Sequence, residues 1–148
     1  MPRHRETRRV PYSPEQMFAL VADVERYPEF LPWCVATRIR SREERSFTAD
    51  LIAAFAAFRE QYTSRVNLDP EGRLIVIEYL EGPFEHLTNR WQFQPVDGGC
   101  DVEFDIDFRF RSRTLEALIS GMFTKAIRKM TESFEQRAHQ LYGPPVSA

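Results

Sequence analysis

Only two of the 148 residues are cysteine, Cys34 and Cys100, and they form neither a CxxC pair nor a cluster with a histidine. That excludes a disulfide-stapled secreted scaffold and fits a reducing compartment. The longest clean apolar run, Leu51 to Phe58, is far shorter than the roughly 20 residues that cross a bilayer as a helix. Met1-Pro2-Arg3-His4-Arg5-Glu6 contains no apolar secretory segment, and no Arg/Ser-rich amphipathic presequence follows, so a cytoplasmic, bacterial setting is expected. Net charge is also scarce. With 20 Lys+Arg against 22 Asp+Glu the chain carries -2, which argues against a generally basic nucleic-acid binder and leaves DNA out of the expected partners.

Catalytic signatures are missing as well. His4, His86 and His139 are too widely spaced for HExxH or another ligand pattern, so no metal site is expected. There is no P-loop, no GxGxxG and no GxSxG, and no residue is assigned a catalytic role. What the chain does have is aromatic bulk: 12 Phe, 5 Tyr and 2 Trp. Either the core is heavily aromatic or a cavity is lined with rings. A chain of this length buries roughly 68–70% of its unfolded surface without metal or disulfide, and a single domain over residues 1–148 is expected.

Arg3 to Val10 reads as a first strand, ended by Pro11 to Ser13. Ser13, Pro14 and Gln16 form a capping-box start for a short helix carrying Met17, Leu20, Val21 and Val24, and the proline-kinked segment Tyr27 to Trp33 follows. From Cys34 to Phe110 the period is two, predicting a meander of five to six strands. Its clearest member alternates Cys100, Val102, Phe104, Ile106, Phe108 and Phe110 with Asp101, Glu103, Asp105, Asp107, Arg109 and Arg111. Turns are predicted at Arg42–Arg45, Asp69–Gly72, Glu81–Pro83 and Asp97–Gly99. After Ser112 an apolar stripe from Leu115 to Leu141 predicts one helix of nearly 30 residues, about 43 Å long. The fold class is therefore α+β, a curved antiparallel sheet wrapped around a long C-terminal helix, with two short helices after the first strand. Such a sheet closes incompletely along its junction with the helix, leaving an apolar cavity.

Four stretches carry a family resemblance over nearly the whole chain: Tyr27-Pro28-Glu29-Phe30-Leu31-Pro32-Trp33-Cys34, Gly82-Pro83-Phe84 leading to Leu87, Trp91-Gln92-Phe93, and Phe134-Glu135-Gln136-Arg137-Ala138 running to Leu141-Tyr142-Gly143. In this order they resemble the coenzyme Q-binding and ribosome association toxin RatA family of the START-like, polyketide cyclase-like helix-grip superfamily. The resemblance implies a non-enzymatic protein that requires no cofactor and binds ubiquinone or a related polyprenyl lipid, acting as a quinone chaperone in support of respiratory electron transport. A ribosome-associated protein that binds the large ribosomal subunit and blocks subunit association is the alternative, and a polyketide cyclase or aromatase using Tyr62, Asn89 and Arg90 is the third.

A quinone with an isoprenoid tail needs a long apolar slot and donors for its ring oxygens. The slot is expected from inward strand positions Leu51, Phe55, Tyr62, Trp91, Phe93, Phe104 and Phe108, from helix positions Met122, Phe123 and Met130, and from a mouth at Tyr27, Phe30 and Trp33. Tyr62, Ser64 and Asn89 share inward parity and are the expected headgroup donors. The acids Asp101, Glu103, Asp105 and Asp107 lie on the outer parity and read as solvated. Two further features suggest surfaces. In Leu51 to Phe58 both parities are apolar, so Ile52, Ala54, Ala56 and Phe58 are expected at a dimer contact, a lid or a bilayer if the same chain does not cover them. Arg3, Arg5, Arg8 and Arg9 form the one local basic cluster, suited to anionic lipid at a peripheral membrane contact or to ribosomal RNA, unless they are simply a solvated edge.

Overall fold

In the computed structural model the described residues are 3–55, 58–120 and 123–143, with the side chains of residues 55, 58, 120, 123 and 124 outside the description. Strand β1 (Arg3–Val10) is followed by helix α1 (Pro14–Ala22) and a 3₁₀ helix over Val24–Glu29. Six strands come next: β2 (Cys34–Arg42), β3 (Ser46–Phe55), β4 (Phe58–Asp69), β5 (Leu74–Glu81), β6 (Phe84–Val96) and β7 (Gly99–Phe110). Helices α2 (Arg113–Ser120) and α3 (Phe123–Tyr142) end the described chain.

All seven strands pair antiparallel in the order β1-β7-β6-β5-β4-β3-β2. β2 to β7 form the predicted meander, and β1 closes onto β7 at the far edge, so α1 and the 3₁₀ helix carry the chain from one edge of the sheet to the other. The Ser13 capping box is complete: the Gln16 amide donates to Ser13 Oγ at 3.0 Å, and the Ser13 amide donates to Gln16 Oε1 at 2.9 Å. Gly99 is needed where β7 meets β1, because a Cβ there would lie 1.9 Å from the Val10 carbonyl oxygen. All four predicted turns fall between strands.

Two expectations are corrected. The Leu51 to Phe58 run is not one strand. β3 ends at Phe55 and β4 begins at Phe58, with the two paired opposite each other, so the run spans two strands, and within β3 both parities remain apolar from Leu51 to Phe55. Ile52 and Ala54 are half-buried, and Ala56 lies outside the described residues. The predicted C-terminal helix is seen as α2 (Arg113–Ser120) and the 20-residue α3 (Phe123–Tyr142), and its residues 121 and 122 lie outside the described residues.

The second correction concerns the arginines of β1. Arg9 binds Asp101 at 2.8 Å, Arg5 and Arg3 bind Asp105 at 3.0 and 3.4 Å, and Arg8 reaches Glu135 of α3 at 3.0 Å. The register brings Arg5 opposite Asp105 and Arg9 opposite Asp101, so two of the four outer acids of β7 pair with arginines of this cluster instead of standing free in water. Arg8 points to the inner face beside Glu6 and Thr131, fastening α3 to the edge strand.

Candidate functional site

The inner faces of β3 to β7 and the roof formed by α2 and α3 enclose a cavity of about 190 Å³. Strand alternation builds its floor. Phe104 and Phe108 of β7 stand beside Ile106 and Phe110, β6 adds Trp91, Asn89, Leu87 and Phe84, β5 gives Ile77, and β4 gives Tyr62, Ser64 and Val66. Leu51 and Ala53 complete it from β3. Helical spacing turns Ile127, Met130 and Phe134 of α3 downward together with Ala126, and Ile119 of α2 joins them. One end is closed by Val24, Tyr27, Leu31 and Trp33.

Two aromatic hubs frame this space. Phe134 meets Tyr27, Phe30 and Trp91 at centroid distances of 5.4, 5.2 and 5.1 Å, all edge-on. Phe84 meets Tyr62, Tyr79, Phe108 and Phe110 at 5.7, 5.4, 5.6 and 4.8 Å. Contacts of this kind add about 0.5–1.5 kcal/mol each to the burial of the rings. Much of the aromatic excess in the composition is thus spent on the walls of one cavity.

Polar groups in the lining are few, and they differ in what they are free to do. Asn89 is fully engaged: its amide donates to the Asp105 carbonyl at 3.0 Å and its oxygen accepts from the Trp91 indole N–H at 2.9 Å. The Tyr27 hydroxyl donates to the Val21 carbonyl. By contrast, Ser64 Oγ is buried and has no hydrogen-bond partner among the described residues. Tyr62, two positions away on the same face of β4, also makes no hydrogen bond among them. A buried hydroxyl without a partner costs about 1–3 kcal/mol, a cost that falls on Ser64, and with the Tyr62 hydroxyl beside it on the strand it forms a polar spot that a ligand would satisfy.

Charge is absent from this lining. Its titratable groups are Tyr27 and Tyr62, and burial raises both phenols well above their ordinary value, so both stay neutral. Beside them the Cys34 thiol is pushed by burial up to about 11, and Cys100, below α1, likewise to about 11.

Of the positions expected from sequence, the cavity brings together Tyr27, Trp33, Leu51, Tyr62, Ser64, Asn89, Trp91, Phe104, Phe108 and Met130. Two expected positions lie elsewhere. Phe93 has inward parity but sits further along β6, fully buried against Phe18 of α1 and Trp91. Phe30 lies behind Phe134, with the Arg137 guanidinium 5.3 Å from its ring centre. Met122 and the side chains of Phe55 and Phe123 fall outside the described residues. Asn89 is present but committed, and Arg90 projects from the outer face toward Gln92, away from any cavity chemistry. Phe84, Ile106, Phe110 and Phe134 were not expected, although the alternation of β7 and the helix stripe already marked three of them as inward.

A protein-family model described as polyketide cyclase / dehydrase and lipid transport matches residues 10–135. Among curated proteins, the chain is 38% identical over 140 residues to the ribosome association toxin RatA of Rickettsia prowazekii, covering 93% of this chain and 96% of that protein. It is 33% identical over 141 residues to the mitochondrial coenzyme Q-binding protein COQ10 of Drosophila melanogaster, covering 92% of this chain and 58% of that one. Among solved structures, the Zhui aromatase/cyclase from Streptomyces superposes with a TM-score of 0.87 over 99% of both chains at 17% identity, a likeness of fold.

Proposed function

The chain belongs to the polyketide cyclase / dehydrase and lipid transport family, with its START-like helix-grip fold, and from that premise we propose that it holds ubiquinone or a related polyprenyl lipid in the cavity. The observation that carries this reading is an aromatic, uncharged lining in which Ser64 and Tyr62 present hydroxyls without partners. A quinone ring offers carbonyl oxygens to two such donors and an apolar face to Trp91 and Phe104, while an isoprenoid tail needs nothing but apolar surface. The name of the Drosophila relative supports the same class of ligand.

The reading is of a carrier and not a catalyst. Proton transfer near neutral pH needs a group that titrates there, and neither tyrosine of the lining does. A cytoplasmic protein of this kind would chaperone the quinone in support of respiration. The experiment is native mass spectrometry and organic extraction of protein purified from a quinone-making host. A co-purifying quinone, depleted in the Ser64→Ala and Tyr62→Phe variants, is expected. Absence of any polyprenyl lipid together with no affinity on titration overturns the reading.

A second reading rests on the 38% identity with a protein named ribosome association toxin, spanning nearly all of both chains. Here the chain binds the large ribosomal subunit and blocks subunit joining. Sedimentation of cell extracts through sucrose separates the two: co-migration with large subunits and loss of assembled ribosomes on overexpression support it.

A further inference from the structure

The roof of the cavity has an outer face that the lipid site does not use. The arginines of β1 are not the one basic concentration after all: between residues 111 and 129 the sequence holds five basic residues and one acid, a local charge of +4 on a chain whose total is -2. The acid, Glu116, is occupied, accepting from the Phe110 amide at 2.9 Å. Arg113 of α2 and Lys125, Arg128 and Lys129 of α3 are exposed and make no ion pair among the described residues. Most other arginines of the chain are paired, those of β1 included.

No nearby acid of the helix accounts for these positions: α3 carries none before Glu132, and Lys125, Arg128 and Lys129 all precede it. Apolar surface accompanies the charge. Leu118 on α2 is half-exposed, one residue before Ile119, which lines the cavity, and Ala126, Ile127 and Met130 line it from beneath the cations of α3. These helices therefore present an apolar face to the cavity and a cationic face to the outside.

We infer that the outer face of α2 and of the first turns of α3 docks on an anionic membrane surface. Lys125, Arg128 and Lys129, with Arg113, meet the lipid phosphates, and Leu118 enters the headgroup layer. Docking there puts the cavity roof against the compartment that holds polyprenyl lipids. RNA phosphates would also attract the cations, but an exposed leucine on an amphipathic helix is the complement of a bilayer and adds nothing to a phosphate backbone.

The test is co-sedimentation of the full chain with vesicles of phosphatidylcholine alone and of phosphatidylcholine with phosphatidylglycerol. Binding to the anionic vesicles only, weakened by salt, is expected. The Lys125→Glu, Arg128→Glu, Lys129→Glu triple variant should lose at least about tenfold in partitioning, at roughly 1 kcal/mol per basic residue. Leu118→Asp should also weaken it, and Arg90→Glu, on the outer face of the sheet, should not. Circular dichroism and the thermal midpoint confirm that each variant is folded. Equal binding to both vesicle types, or full binding by the folded triple variant, overturns the inference. So does a triple variant that keeps vesicle binding but no longer co-sediments with large ribosomal subunits, which assigns the face to RNA. The quinone content of the same preparations is measured separately, so an empty cavity with intact vesicle binding counts against the lipid-carrier reading alone.

Discussion

The Trp91 indole N–H donates to Oδ1 of Asn89 at 2.9 Å, and the Asn89 amide donates in turn to the Asp105 carbonyl of β7 at 3.0 Å. Both bonds lie at the cavity floor, where water has little access. Asn89 therefore orients the indole wall instead of offering itself to a ligand. Asn89→Ala leaves a buried indole donor unpartnered, and a loss of about 1–3 kcal/mol is expected. Urea unfolding with an unchanged slope measures it. A loss under about 0.5 kcal/mol, within the range of an ordinary surface change, would show that the bond contributes nothing to stability.

Ser64 should respond in the opposite sense. Its hydroxyl is buried without a partner among the described residues, so the empty protein bears its desolvation cost. Ser64→Ala removes that cost and should stabilise the ligand-free protein by about 1 kcal/mol while weakening quinone binding. Thermal unfolding of lipid-stripped protein, paired with quinone titration, reads both signs. Loss of stability on removing the hydroxyl would mean that it is bonded in the folded protein and is not waiting for a ligand.

Asn89 and Ser64 also show how far the sequence could be read. Strand parity put Ser64, Asn89, Trp91, Phe104 and Phe108 on the inner face because a two-residue period leaves no choice once one face is buried. Parity says nothing about position along a strand, so Phe93 reads like Trp91 although α1 covers one and the cavity the other. Nor does it say which polar group has already found a partner; Asn89 and Ser64 look alike until the Asp105 carbonyl and the Trp91 indole are placed. The β3–β4 junction was hidden for another reason. Ala56 and Ala57 carry no turn signal, so two strands read as one apolar run.

Acid should loosen the edge of the sheet. The hydrogen bond and the charge of Arg9 hold the Asp101 carboxyl below its usual range. Burial pushes Asp105 upward, but the guanidinium groups of Arg5 and Arg3 outweigh it and the net shift is also downward. For a depressed carboxylate, the stabilisation is complete above the ordinary value of about 3.9 and is lost as pH falls through the lower folded value. The urea midpoint should therefore decline below about pH 4, and less steeply in Asp101→Asn, Asp105→Asn. Parallel declines in the two proteins would show that these pairs do not contribute to acid sensitivity.

Gly82 links a turn to the site. Its φ of +147° lies where side chains are strained, and a Cβ there would stand 2.6 Å from Tyr62 Cβ and 3.0 Å from Tyr62 Cα. Neither atom can swing aside, so Gly82→Ala must move the β5–β6 turn or the β4 backbone that carries Tyr62. Gly98 offers the control: its φ is +80°, yet a Cβ would meet nothing within 4 Å. Both alanine variants bear the cost of positive φ, about 1–3 kcal/mol, and only Gly82→Ala adds a clash. Gly82→Ala should therefore be the less stable of the two in urea. It should also bind quinone more weakly, since Tyr62 and the Phe84 ring 5.7 Å from it are displaced together, whereas Gly98→Ala should bind as the parent does. Equal stability and equal affinity in the two variants would mean that Gly82 serves the turn alone and that Tyr62 is positioned independently of it.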